Sequence, residues 1–191
     1  MPGVSPEPSL SEKVLLIEAT LQSARIPHAF GGAIALAYYA TPRATIDIDV
    51  NVFVESERAE EVLGALARLG AEAPTESESV RLRRDGQARI RWGTTPVDLF
   101  FSYDAFHDAC MERRRVFPFG EGETIHVLAA EDLVVFKAIF DRDKDWRDIA
   151  ELAFAVGDEL DRDWIESWLE RIVGREDERF GRCMESLAVT T

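Results

Sequence analysis

The chain has no apolar run approaching the ~20 residues that a helical membrane crossing needs, which argues against a membrane protein. Its first residues, MPGVSPEPSLSEK, lack both the basic stretch and the apolar core of a secretion signal, so the expected location is cytoplasmic. Cysteine is scarce. Cys110 and Cys183 show no CxxC or Cys/His spacing, which argues against a disulfide framework, a structural zinc site or a redox pair, and both read as ordinary thiols. His28, His107 and His126 also lack metal-ligand spacing and read as structural residues. Positive charge is in deficit, with 22 Lys and Arg against 36 Asp and Glu and a net charge of -14, so the chain is not built to coat nucleic acid. A local basic groove is still allowed, because Arg81, Arg83, Arg84, Arg89, Arg91, Arg113, Arg114 and Arg115 cluster in the middle of the chain. Neither an internal repeat nor a low-complexity tract is present.

What is there suits one globular unit: 191 residues, 46% hydrophobic and 30% charged. Ser9 and Glu12 stand at capping-box spacing ahead of VLLIEATLQSARI, predicting a helix from about Ser11 to Arg25. HAF is a short extended run broken by Gly31-Gly32, and AIALAYYA is a short apolar helix. ERAEEVLGALARLG has helical periodicity closed by Gly70. SVRLRRDGQARIRW reads as two strands joined at Asp85-Gly86, a dipeptide favoured in tight hairpins, and its arginines then read as a charged solvent face. TPVDLFFS is a further strand, YDAFHDACMERRR a helix and VFPFGEGETIHVLA a hairpin or extended connection. From Ala130 onward the chain reads as three helices, EDLVVFKAIFDR, DWRDIAELAFAVG and DRDWIESWLERIVG. Strands in the middle and helices at both ends describe an α+β fold with a mixed sheet. The expected division is a flexible leader (1–10), an α+β core (11–128) and a C-terminal helical segment packed on it (129–191).

TPRATIDIDVNVFV carries the chemistry. Ile46, Ile48, Val50, Val52 and Val54 alternate, so an extended chain puts Asp47, Asp49, Asn51 and Phe53 on the other face. Two carboxylates about 7 Å apart on one side of a strand repel unless a cation sits between them. Asp98 in PVDLFF is a third carboxylate in an apolar strand, and if that strand lies beside the first, all three converge. Carboxylate oxygen is the donor Mg²⁺ prefers, and such sites share the ion with substrate phosphates. A strand that ends in Gly31-Gly32 and feeds a helix offers unobstructed backbone N–H groups to phosphate.

GGAIALAYYATPRATIDIDVNVFV followed by VDLFF resembles the nucleotidyltransferase superfamily of the polymerase-beta type. It is more particularly similar to small bacterial AbiEii-toxin-like nucleotidyltransferases, through the glycine pair, an R-x-T-x-D-I-D element at Arg43, Thr45, Asp47, Ile48 and Asp49, and an E-D-L-V-V-x-K helix at Glu131 to Lys137 that runs into Lys144, Asp145 and Asp148. The resemblance covers roughly residues 28 to 152. It implies a minimal mixed-sheet nucleotidyltransferase core with flanking helices, metal ligands Asp47, Asp49 and Asp98, and nucleotide contacts at Gly31, Gly32, Arg43, Thr45 and Lys137. Lys137 would join the three aspartates as a catalytic residue by meeting the nucleotide phosphates.

The expected activity is therefore Mg²⁺- or Mn²⁺-dependent transfer of NMP from an NTP to a macromolecular acceptor, a tRNA 3′ end or a protein hydroxyl. Within the resemblance, the chain would be the toxin of a toxin-antitoxin pair with a cognate antitoxin as partner. The alternative is a catalytically inactive nucleotide-binding regulator or antitoxin partner. Ala33 favours that alternative, since many catalytic members place a serine hydroxyl after the first glycine.

Overall fold

The strand predicted around the Asp-x-Asp pair, TIDIDVNVFV, starts at Ile48 and not at Thr45. In a computed structural model that describes residues 7–188, Thr45 Oγ1 lies 3.2 Å from both the amide and the carbonyl of Asp47, closing a local turn that leaves Ile46 exposed before the strand begins. In chain order the elements are α1 (Leu10–Ser23), β1 (His28–Phe30), α2 (Gly32–Leu36), β2 (Ile48–Glu55), α3 (Ala59–Ala67), α4 (Glu76–Asp85), β3 (Gln87–Trp92) and β4 (Thr95–Ser102). They continue with α5 (Ala105–Arg113), β5 (Arg115–Pro118), β6 (Thr124–Val127), α6 (Ala130–Phe140), α7 (Asp143–Val156), α8 (Arg162–Val173) and α9 (Glu178–Ala188).

The α+β reading holds. Residues 1–30 and 45–127 form one compact unit that contains every strand, and residues 31–44 and 128–191 form a second that is wholly helical among the described residues. The first unit is built on a six-stranded mixed sheet of order β3-β4-β2-β1-β6-β5. β2 runs parallel to β4 and antiparallel to β1, while β1 runs parallel to β6. As an interior strand β2 is buried on both faces: Ile48, Val50, Val52 and Val54 on one side, polar Asn51 and Phe53 on the other. Edge protection is therefore not the reason for its aspartates. The capping box at Ser9 and Glu12 forms as predicted, and α1 follows it.

Asp85-Gly86 does not make a hairpin. Residues 76–85 are the helix α4, with Thr75 as N-cap accepting from the Glu78 amide, Glu76 and Glu78 in the first turn, and Arg83 and Arg84 in the last. Gly86 ends it at φ 65°, the left-handed conformation that glycine adopts without a Cβ penalty, so the signal read as a hairpin turn is a helix C-cap. The real hairpin joins β3 to β4 through Gly93 and Thr94, with Trp92 opposite Thr95. VFPFGEGETIHVLA does form a hairpin, β5 with β6.

In the second unit α6 is almost entirely buried, its charged Glu131, Asp132 and Lys137 included, because α2, α7, α8 and α9 all pack against it. The three predicted C-terminal helices are α6, α7 and α8, and α9 is a fourth that the sequence reading did not anticipate. Its Phe180, Cys183 and Leu187 are buried at helical spacing. Burial pushes the Cys183 thiol up to about 12, in keeping with an inert core cysteine. No described helix is long and apolar enough to cross a membrane.

Candidate active site

Asp49 and Asp98 are direct neighbours on the parallel strands β2 and β4, and Asp47 stands two residues ahead of Asp49. Adjacent strands lie about 4.8 Å apart, so the two in-register carboxylates repel. The sheet answers with Arg89. β3 pairs antiparallel with β4 and sets Arg89 opposite Asp98. The guanidinium grips that carboxylate through both oxygens, Nε to Oδ1 at 2.7 Å and Nη2 to Oδ2 at 2.6 Å. The same Nη2 lies 3.9 Å from Asp47 Oδ2. The hydrogen bonds to Asp98, with the added charges of Asp47 and Asp49, hold the Arg89 guanidinium more firmly protonated than usual, against the opposing cost of partial burial.

The cation that the Asp-x-Asp spacing calls for is thus the chain's own arginine. Arg89 was visible in the sequence only as one of several hairpin arginines assigned to solvent. The signal that could have found it is the Gly93-Thr94 turn, since a two-residue turn there sets position 89 opposite position 98. Asp98 and Asp47 face one guanidinium and Asp49 stands in register beside Asp98, an all-oxygen donor set of the kind a hard divalent ion takes, so the residues fit Mg²⁺ in chemical type. Arg89 must release Asp98 before that carboxylate can serve an ion.

The second unit holds Gly31, Gly32, Arg43 and Lys137, while Thr45 belongs to the first. Gly31 is extended, at φ -115° and ψ -151°, and caps α2. Gly32 has φ 53°, a left-handed backbone that suits glycine and explains why the second residue of the pair has no side chain. Lys137 is buried. Its Nζ lies 2.5 Å from Asp148 Oδ2 and 3.6 Å from Asp145 Oδ1, so it is neither an exposed phosphate-facing charge nor a surface ion pair. Arg43 completes the cluster with a two-pronged contact to Asp148, Nε to Oδ1 at 3.2 Å and Nη2 to Oδ2 at 3.1 Å, while Arg142 Nε reaches Asp145 Oδ2 at 2.5 Å. Burial alone would raise the Asp148 carboxyl, but Arg43 and then Lys137 outweigh it and hold it below the usual value. The Arg43 and K-D-x-x-D motif pieces therefore meet at Asp148. Lys144 and Asp141 are exposed, and Asp141 accepts from Trp146 Nε1 at 2.7 Å.

No family model matches the chain, and no curated protein sequence matches it. Solved structures do. The solution structure of the antibiotic-resistance factor ANT(2'')-Ia superposes with a TM-score of 0.63 at 17% identity, covering 87% of this chain and 94% of that one. A crystal structure of ANT(2'')-Ia in complex with adenylyl-2''-tobramycin superposes at 0.52 and 14% identity, over 81% of this chain and 94% of that one. An antigenic nucleotidyltransferase-like protein from Paracoccidioides brasiliensis gives 0.51 at 14% identity, over 94% and 87%. Identities this low speak to architecture alone, and the architecture is that of the nucleotidyltransferase fold.

Proposed function

We propose that the chain is a nucleotidyltransferase that moves NMP from an NTP to a hydroxyl acceptor with release of pyrophosphate. The observation that carries this reading is the register of Asp49 with Asp98 on adjacent parallel strands, two residues after Asp47, around a displaceable arginine. Asp47, Asp49 and Asp98 would hold Mg²⁺ or Mn²⁺, which when bound would neutralise the triphosphate charge. The acceptor oxygen bonds to the α-phosphorus, the bond from that phosphorus to the bridging oxygen breaks, and pyrophosphate leaves with the electron pair. Asp98 is the residue assigned to drawing the proton from the acceptor hydroxyl. Arg89, once off Asp98, is free to meet phosphate. Gly31, Gly32 and Thr45 keep a nucleotide-binding assignment from the motif likeness, whereas Arg43 and Lys137, given that assignment by the same likeness, have carboxylates as their observed partners and would hold Asp148 in place.

An acidic cleft of about 420 Å³, lined in part by Glu55, Glu57, Asp104 and Asp108, lies apart from the aspartates, since Glu55 is six residues beyond Asp49, roughly 20 Å of strand. The acceptor arms to test are a tRNA 3′ end, protein hydroxyls and an aminoglycoside such as the one adenylylated in the ANT(2'')-Ia complex. The AbiEii-like motif adds a toxin role, read as growth arrest on induction that Asp98→Asn relieves.

The deciding experiment incubates each labelled NTP with Mg²⁺ and each acceptor class while following pyrophosphate. Transfer is expected in one arm. Asp98→Asn should slow it by about two orders of magnitude, a loss of a few kcal/mol of transition-state stabilisation, with Mg-NTP binding nearly unchanged. Wild-type binding of Mg-NTP without transfer in any arm would replace this reading with a nucleotide-binding regulator.

A further inference from the structure

The geometry points to a second ion site, for a transition metal of the Zn²⁺ class, built from Glu18 on α1, His28 on β1 and His126 on β6. Their ligand atoms all lie within 4.8 Å of one another, and all three residues belong to the strand-bearing unit. His28 Nε2 is 3.0 Å from Glu18 Oε2, and His126 Nδ1 is 2.7 Å from Glu18 Oε1. The His126 backbone amide donates to Glu18 Oε2 at 3.0 Å and fixes the carboxylate in place.

The decisive detail is the far side of the His28 ring. Nδ1 is 2.9 Å from the Ile26 carbonyl oxygen. A carbonyl only accepts, so Nδ1 carries the proton, and a neutral ring then turns a bare Nε2 lone pair toward a carboxylate that also only accepts. Two acceptors 3.0 Å apart need a proton or a metal ion between them. A metal ion satisfies the same lone pairs and uses the carbonyl contact as such sites commonly do, to orient the ring and set its tautomer.

Two imidazole nitrogens and one carboxylate oxygen match the three-ligand sets of zinc sites that keep one position open. An open cleft of about 430 Å³ reaches both histidines, with Gln22, Arg25 and Arg114 on its wall. The two arginines favour an anion, hydroxide or an oxyanion, at the fourth position. This site is distinct from the aspartate cluster: His28 pairs with Val52, three residues and about 10 Å along β2 from Asp49.

Equilibrium dialysis of the full chain against Zn²⁺, and titration with Co²⁺ followed by its visible absorption, test the proposal. One Zn²⁺ per chain is expected, with a low-symmetry four-coordinate Co²⁺ spectrum. His126→Ala alters a partly exposed ligand and should keep the fold by circular dichroism, yet weaken binding by more than the ~10–100-fold that loss of a ring-orienting partner costs. Glu18→Gln should do the same, and Asp47→Asn with Asp49→Asn should leave Zn²⁺ binding unchanged. Absence of stoichiometric Zn²⁺ in the wild type, or equal affinity in a folded His126→Ala, overturns the site and leaves the hydrogen-bonded cluster in its place. Neither result bears on nucleotidyl transfer.

Discussion

Arg89 and Lys137 each face a pair of aspartates, yet Arg89 is 47% exposed and Lys137 only 4%. The formal charges are alike, and the surroundings make them different devices. Around Arg89 the carboxylates are reached by water, with Asp47 at 32% and Asp98 at 15% exposure, so screening keeps the pair weak and an ion or a phosphate can take a partner from it at small cost. Around Lys137 the acids Asp145 and Asp148 are at 0% and 6%, and removal of any one charge leaves the others stranded in a poorly screened interior. Motif likeness assigns both clusters to nucleotide chemistry. Solvent access assigns exchange to the first and architecture to the second.

The largest expected effect breaks the second cluster. Lys137→Ala should cost about 3–5 kcal/mol in urea unfolding, because it strands two buried carboxylates. A loss below about 1 kcal/mol would mean that water reaches the cluster and that Lys137 is available for phosphate after all.

Acid should act on the same cluster with a definite sign. Asp148 has its folded value depressed below the ordinary 3.8, so its contribution is complete above that value and is lost as pH falls through the lower folded one. Unfolding free energies followed from pH ~5 down to ~2 should fall more steeply for the wild type than for Asp148→Asn. Parallel curves would show that Asp148 is not held by Arg43 and Lys137.

The smallest effect on stability is expected at Arg89. Arg89→Ala should change unfolding free energy by no more than about 1 kcal/mol, as for other exposed pairs. It should also raise the affinity for Mn²⁺ in the absence of nucleotide, since the resident cation is gone. Calorimetric titration that shows unchanged or weaker Mn²⁺ binding would separate Arg89 from the carboxylate site and erase the contrast with Lys137.

Much of this was legible because it is local. Alternating apolar residues mark β2, the Ser9 and Glu12 spacing marks the start of α1, and an aspartate inside PVDLFF is conspicuous wherever the strand lies. The error at Asp85-Gly86 is also local in origin: the same dipeptide closes a hairpin or a helix, and the choice rests on Thr75 ten residues upstream capping residues that then continue as helix. That error hid Arg89, whose partner depends on which turn sets the register. The Glu18, His28 and His126 cluster left no trace in spacing, since its members come from a helix and two strands, with the histidines 98 positions apart in the chain.

Residue order along the chain decides periodicity, caps and which side chains share a face, because those depend on the chemistry of neighbours a few positions apart. It was enough for the α+β class, the strand with the aspartate pair and the glycine pair after β1. Folding decides which distant side chains meet and how much water remains between them. That is why Arg89 stands against Asp98 in a hydrated setting, Lys137 against Asp148 in a dry one, and two histidines far apart in sequence share a single carboxylate: strand order and burial are cooperative properties of the whole sheet and helix packing, and dielectric surroundings follow from them.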